Sequence, residues 1–322
     1  MLVTLRGRQT RIACGERLDV PGHLSVPAAL VLNAYVDGSR LVLRALAPRG
    51  RRRVVSDAQW RARASESLGP LALVALDADI APADVPYAEV ECARLLAHAY
   101  PRAARGRRIL VVCNPAGGRG KGLQQLERHV APILAAAGCA ADIRKTERRL
   151  HARDMGRDVD LAQFDALVCV GGDGTVHELI NGIAARADAA EALRTPLVPV
   201  PSGSGNGLYV SLFGAAQGFS APLACLAAIK GAAVAHRLCA LTQPRALFEH
   251  WPSTPYAGGG ADYVQYYAFL SQAIGLIADV DLGTEHWRCI GDLRFTLAYV
   301  LGALRDRACA VDVDVLVGDA GS

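Results

Sequence analysis

The sequence predicts an α/β fold: a parallel sheet covered by helices on both faces, preceded by a small β-rich region and followed by further strands. Three observations carry this prediction. The continuous apolar runs "RILVVC" (108–113), "DALVCV" (165–170) and "PLVPV" (196–200) read as strands buried on both faces. Each run ends in a glycine-bearing turn, "NPAGGRGKG" (114–122), "GGDGT" (171–175) or "PSGSGN" (201–206). Each turn leads into a helical segment, and strand, turn and helix recurring in this order indicate a parallel sheet. Ligands of such sheets bind beyond the carboxyl ends of the strands, where the three turns are expected to gather.

In chain order, residues 1–104 hold short apolar–polar alternations such as "SRLVLRAL" (39–46), after a glycine-bearing turn at "VDGS", and read as small antiparallel strands. A helical stretch follows in "YAEVECARLLAHAY", and the arginine-rich "PRAARGRR" (101–108) reads as a linker. No chemistry attaches to this region. From 105 to 240 strands and helices alternate. Leu123, Leu126, Val130 and Leu134 recur at helical spacing, and Pro132 is expected to kink or shorten that helix. "AADIRKTE" (140–147) reads as a strand. Val176, Leu179, Ile180 and Ile183 share one face of the helix after "GGDGT", and "GLYVSLF" starts another after "PSGSGN". From 241 onward strand signals return in "DYVQYYAFLSQAIGLIADVDL" and in the period-two "CAVDVDVLV", with a helical "WRCIGDLRFTLAYVLGAL" between them.

At 322 residues, 52% hydrophobic and 20% charged, the chain has room for two or three domains and a sizeable core, and its composition argues against disorder. The formal charge of +4 says little, because only three of 35 basic residues are lysine (Lys121, Lys145, Lys230), a bias expected of a GC-rich genome. The dense basic run "RGRRR" (49–53) reads as a solvated loop, with an anionic membrane surface or nucleic acid as the alternatives. Nine cysteines without a CxxC pair, several inside apolar runs, read as reduced, cytosolic thiols and not as a disulfide frame or zinc site. No His/Cys/Asp cluster resembles a permanent metal site. The amino terminus lacks the apolar core of a secretory signal, and no apolar run approaches the ~18 residues of a spanning helix. The chain is therefore expected to be soluble, or to sit on a membrane without crossing it.

The three turns offer chemistry. Glycines let successive backbone N–H groups face one anion, and a following helix adds its positive end. "CNPAGGRGKG" is not the GxxxxGK[ST] loop, since glycine follows Lys121; it is either a phosphate cradle or a tight turn. In "GGDGT", Asp173 is either a turn aspartate satisfying its own backbone or the group that accepts a hydroxyl proton during phosphoryl transfer. His177 reads as a packing residue, and Glu178 as a complement to its helix dipole. "PSGSGN" is a donor-rich loop suited to a nucleotide or a polar headgroup.

Together, "NPAGGRGKG", "GGDGTVHELINGI" and "PSGSGNGL" resemble the diacylglycerol kinase catalytic domain family. "TERRLHAR" (146–153) and "GLIADVDLGTEHWRCIGDLRFTLAYVLGAL" (275–304) narrow the resemblance to the sphingosine kinase branch, over about 105–310. The resemblance implies an NAD kinase/diacylglycerol kinase-like α/β domain at 105–240. It also implies a lipid-binding β-sandwich beginning in 241–322 and incomplete there, with a region of unknown role at 1–104. It implies transfer of phosphate from ATP, with Mg²⁺, to the primary hydroxyl of a sphingoid base, in the cytoplasm at a peripheral membrane surface, with no nucleic-acid partner.

Residue by residue, the resemblance makes Asp173 the base that activates the lipid hydroxyl. It sets Asn114, Pro115, Ala116, Gly117, Gly118, Thr146 and Arg148 along the nucleotide, with Gly172, Gly174 and Glu178 near the phosphates. Gly203, Ser204, Gly205 and Asn206 form a further wall, Arg288 and Arg294 reach the phosphates, and Asp281 faces the sphingoid ammonium. Glycine stands at Gly171 where sphingosine kinases often have serine. NAD kinase shares "GGDGT" but not "PSGSGN" or "ADVD" (278–281). A diacylglycerol or ceramide kinase, and a nucleotide- and lipid-binding fragment without turnover, are the alternatives.

Overall fold

The computed structural model divides into two compact units, Met1–Phe269 and Leu270–Ser322. The residues it describes are 1–50, 53–63, 65–203, 206–245, 254–255, 262–271, 278, 280, 283–284, 287 and 293–303.

The first unit opens with antiparallel strands β1 (Leu2–Leu5), β2 (Arg8–Arg11), β3 (Ala13–Cys14), β4 (Arg17–Val20), β5 (Leu24–Pro27), β6 (Val31–Asp37), β7 (Arg40–Pro48) and β8 (Leu71–Asp79). They form a five-stranded sheet in the order β2-β1-β8-β7-β6 and a three-stranded sheet β3-β4-β5. The β6–β7 hairpin turns where "VDGS" predicts it, with Gly38 at φ +58, a backbone conformation that tight hairpins need and side chains resist. Helix α1 (Asp57–Arg61) is short and exposed; α2 (Val85–Ala99) buries Ala88, Cys92, Leu95, Leu96 and Ala99 along one side.

The parallel sheet follows, from β9 (Arg108–Cys113), β10 (Ala140–Lys145), β11 (Ala166–Gly171) and β12 (Leu197–Pro201), in the order β10-β9-β11-β12. Its central strands β9 and β11 are buried almost throughout, as their unbroken apolar runs require, while β10 at the edge is largely exposed. Around it lie α3 (Gly117–Gln125), α4 (Ala131–Ala136), α5 (His151–Asp158), α6 (Asp173–Ala184), α7 (Ala189–Ala192), α8 (Gly207–Phe213) and α9 (Ala221–Lys230). Successive side chains alternate between two cores. Ile109, Val111, Cys113, Val168 and Val170 pack with α4, α9 and the strands of the amino-terminal region. Leu110, Val112, Leu167 and Cys169 pack with α5 and α6.

Pro132 does not stop its helix. A π-helical turn, Leu126–Val130, joins α3 to α4, with Pro132 in the first turn of α4. The missing proline N–H and the bulk of its ring are accommodated by that wider turn. A fourth sheet, β13 (Cys239–Pro244), β14 (Thr254–Pro255) and β15 (Tyr263–Ala268), is antiparallel in the order β13-β15-β14.

In the second unit the described helix is Leu293–Ala303; the expected strand "CAVDVDVLV" lies outside the described residues. Among the described residues, no helix is long and apolar enough to cross a membrane. The described cysteines are all free thiols, and burial raises those of Cys14, Cys92, Cys113, Cys139, Cys169 and Cys225, as expected of packing residues.

Candidate active site

β9, β11 and β12 are neighbours in one parallel sheet, so the turns that follow them lie side by side at one end. Hydrogen bonds tie the turns together. Asn114 N–H donates to Val170 O at 2.9 Å, and its Nδ2 donates to Thr175 Oγ1 at 3.1 Å, linking the first turn to the second. Ser202 N–H donates to Gly171 O at 3.2 Å, linking the third to the second. The first turn folds tightly over α3. Asn114 Oδ1 accepts from Ala116 N–H at 3.1 Å, and a Cβ on Gly122 would lie 2.0 Å from Asn114 O, so no side chain fits there.

Asp173 stands at the first position of α6, and its carboxylate reaches across to the third turn. Oδ2 accepts from Gly207 N–H at 2.7 Å and Oδ1 from Leu208 N–H at 3.1 Å, at the amino end of α8. The two readings of this aspartate thereby meet in one geometry. It does satisfy backbone donors, but those of another helix, and each oxygen keeps further lone-pair capacity for a proton. The side chain is only half-buried, so the carboxylate is both fixed and reachable.

Glu178, one turn further along α6, does the same for α5. Its carboxylate faces the backbone N–H groups of Leu150 and Ala152 at the start of α5, which favour its charge, although burial outweighs them and raises its pKa. Leu150 itself, the residue before α5, takes φ +63, a left-handed conformation unusual for a bulky side chain. Arg148 is exposed and pairs with Asp154 at 2.6 Å. Thr146, just past β10, donates its N–H to Cys113 O at 2.8 Å and so lies beside the Asn114 turn. His177 packs edge-on to the Tyr266 ring at 6.3 Å, and burial lowers its pKa, in keeping with a packing residue.

The remaining predicted residues separate into three groups. Pro115, Ala116, Gly117 and Gly118 form the first turn and the start of α3, and Gly172 and Gly174 flank Asp173. Gly203 and Asn206 close the third turn on each other: Asn206 Nδ2 donates to Gly203 O at 2.7 Å, and Gly203 N–H donates to Asn206 Oδ1 at 3.3 Å. Arg294, in the second unit, is buried, donates to Thr284 O at 3.2 Å and lies 4.3 Å from the centre of the Phe295 ring. Ser204, Gly205, Asp281 and Arg288 lie outside the described residues.

Three residues of this region escaped the sequence reading. Thr175 is buried and holds Asn114. Ser202 is buried inside the third turn. Asn181 on α6 accepts from Tyr267 N–H at 2.8 Å and donates to Tyr267 O at 2.9 Å, pairing with β15 as a strand would. Thr175 and Ser202 are spelled out within the glycine motifs, which was their only signal; Asn181 had none.

Residues 108–240 match the family described as the diacylglycerol kinase catalytic domain. The chain is 33% identical over 230 residues to sphingoid long chain base kinase 4 of Schizosaccharomyces pombe, a match covering 71% of this chain and 46% of that protein. It is 39% identical over 197 residues to human sphingosine kinase 1, covering 60% of this chain and 48% of that protein. A diacylglycerol kinase of Bacillus anthracis of known structure is 25% identical, covering 42% of this chain and 44% of that one at a TM-score of 0.33. The matched stretch thus spans about half the length of these curated relatives.

Proposed function

We propose that this chain, whose residues 108–240 carry the diacylglycerol kinase catalytic domain, is an ATP-dependent kinase for the primary hydroxyl of sphingosine or a related long-chain sphingoid base. The sphingosine and sphingoid base kinases among its relatives support that acceptor. The observation that carries the mechanism is the fixed carboxylate of Asp173 among three adjoining glycine turns.

In this reading the nucleotide phosphates lie over the turns, where backbone N–H groups and the amino end of α3 offset their charge. Asn114, Pro115, Ala116, Gly117, Gly118, Thr146 and Arg148 line the nucleotide, with Gly172, Gly174, Glu178, Gly203, Ser204, Gly205 and Asn206. Arg148 reaches it by leaving Asp154. Asp173 accepts the proton of the lipid hydroxyl as the oxygen attacks the γ-phosphorus. The bond from γ-phosphorus to the β–γ bridging oxygen breaks, and ADP leaves with the electron pair. The helix-capping bonds from Gly207 and Leu208 hold the carboxylate still during that transfer, so little reorganisation is needed.

Arg288 and Arg294 are assigned to the phosphates, and Asp281 to the acceptor's ammonium group, a charge-assisted contact that neutral diacylglycerol lacks. Among the described residues no cluster of three acidic, histidine or cysteine groups could hold a resident metal. A carboxylate beside phosphate-binding turns suits a Mg²⁺ carried in on the nucleotide and held by its phosphates, where it would offset the repulsion between them and Asp173. The acceptor is a membrane lipid, so the enzyme works at a membrane face.

The test is transfer from radiolabelled ATP with sphingosine, diacylglycerol and NAD offered side by side. Labelled sphingosine phosphate is expected, with little product from the other two. Diacylglycerol labelled in preference would reassign the acceptor, and label on NAD alone would overturn the lipid kinase reading.

A further inference from the structure

We infer that the Ser202 hydroxyl is a side-chain donor to a phosphate oxygen of the nucleotide, placed at the end of β12 and facing the amino end of α3. The inference rests on the ATP-dependent reading above and adds a contact to it.

Ser202 is 6% exposed, and its Oγ has no hydrogen-bond partner among the described residues. Buried hydroxyls are rarely left this way, because the group has lost water without gaining a partner. The residue is not loose. Its backbone N–H is fixed on Gly171 O at 3.2 Å, so the strand end aims the side chain.

What it aims at is the space above Gly117, the first residue of the nine-residue α3. A Cβ built on Gly117 would lie 3.6 Å from Ser202 Oγ and 3.5 Å from Asn114 Cγ. Ser202 and Asn114 therefore rim the volume that the glycine leaves open. The Asn114 amide uses one Nδ2–H on Thr175 and its Oδ1 on the Ala116 N–H, keeping its second Nδ2–H. Ser202 is the side chain there whose buried polar atom has no partner among the described residues, and a hydroxyl rotates to suit its acceptor.

The helix terminus decides the sign of the ligand. Although Asn114 takes the Gly117 and Ala116 N–H groups, the helix dipole favours an anion, and a hydroxyl donating to a charged oxygen makes one of the stronger hydrogen bonds. A phosphate oxygen of ATP meets both demands; an uncharged group would use only one.

Calorimetric binding of ATP and of adenosine to the full chain tests this, with steady-state kinetics alongside. Ser202→Ala is expected to weaken ATP about tenfold or more, roughly 1.4 kcal/mol, and to raise KM for ATP with kcat little changed. Adenosine binding should not move. The melting temperature of the nucleotide-free variant should hold or rise, since an unpartnered polar group is removed. Ser202→Thr keeps the hydroxyl and should stay close to the wild type in ATP affinity. Gly117→Ala is an independent probe: its Cβ meets both neighbours at ordinary contact distance, so the fold should stand while ATP weakens. Wild type and Ser202→Ala binding ATP equally would overturn this inference alone. Equal loss of ATP and adenosine with a lowered melting temperature would do so too, by making the residue structural. Wild type that binds no ATP would overturn the kinase reading and the inference with it.

Discussion

Asp173 combines two demands in one carboxylate, and substitution separates them. Asparagine keeps one carbonyl oxygen for the two donors, Gly207 N–H and Leu208 N–H, and turns its amide N–H₂ toward the other. Losing half of this helix cap should cost about 0.5–2 kcal/mol, visible as a modest fall in melting temperature of Asp173→Asn. An unchanged melting temperature would mean the capping bonds contribute nothing. Asn181 offers a second test at the same scale. Its amide makes a reciprocal pair with the Tyr267 backbone 86 residues away, so Asn181→Leu strands a half-buried N–H and C=O and should destabilise by ~1–3 kcal/mol, read from denaturant unfolding. Asp173 was legible in the sequence because a carboxylate within a glycine turn asks for an explanation. Asn181 was not, because its role exists only once β15 lies alongside α6.

At the scale of elements, α5 and α6 approach so closely that side chains are excluded at their crossing. A Cβ on Gly182 would lie 2.0 Å from Arg153 O, and one on Gly156 would lie 2.6 Å from Leu179 O. Gly182→Ala should therefore push the two helices apart and destabilise by ~1–3 kcal/mol, despite alanine's better helix propensity. Since α6 presents Asp173 and Glu178, the same variant should lower kcat; a stabilised variant would contradict the packing described. The strands β9, β11 and β12 were readable from their unbroken apolar runs, and the amphipathic α6 from its period. Helix α9 was missed because it is buried from Ala221 to Ile229 with few exceptions and so has no polar face to mark its period. β13 was missed for the opposite reason, being mostly exposed and without a clear alternation.

At the scale of the molecule, one apolar core runs from the amino-terminal strands into one face of the parallel sheet. Lys230 marks the junction. Its Nζ donates to Val31 O at 2.5 Å and lies 4.5 Å from the centre of the Tyr100 ring, whose hydroxyl donates to Leu32 O at 2.6 Å. These contacts favour the ammonium, but burial outweighs them and pushes the pKa from 10.5 to about 7. The sign follows from the protons bound. Between about 7 and 10.5 the unfolded chain holds a proton that the folded chain has released, so stability rises with pH across that window. Below it both states are charged and the full penalty of burial stands. Lys230→Met should accordingly gain melting temperature over the wild type near pH 6 and lose that advantage toward about pH 10. A pH-independent difference would show that the amine stays charged in the folded state. None of this junction was legible in the sequence, where residues 1–104 offered strands without a role and the contacts that give them one span more than a hundred residues.

The most direct measurement is the initial rate of phosphate transfer from ATP to sphingosine by the wild type and Asp173→Asn, with the ATP dissociation constant measured for both. The account predicts sphingosine phosphate from the wild type, a fall in turnover of about 10²–10⁴ in the variant, and nearly equal ATP affinities. A variant that turns over at the wild-type rate would remove Asp173 from the chemistry and contradict the account at its centre.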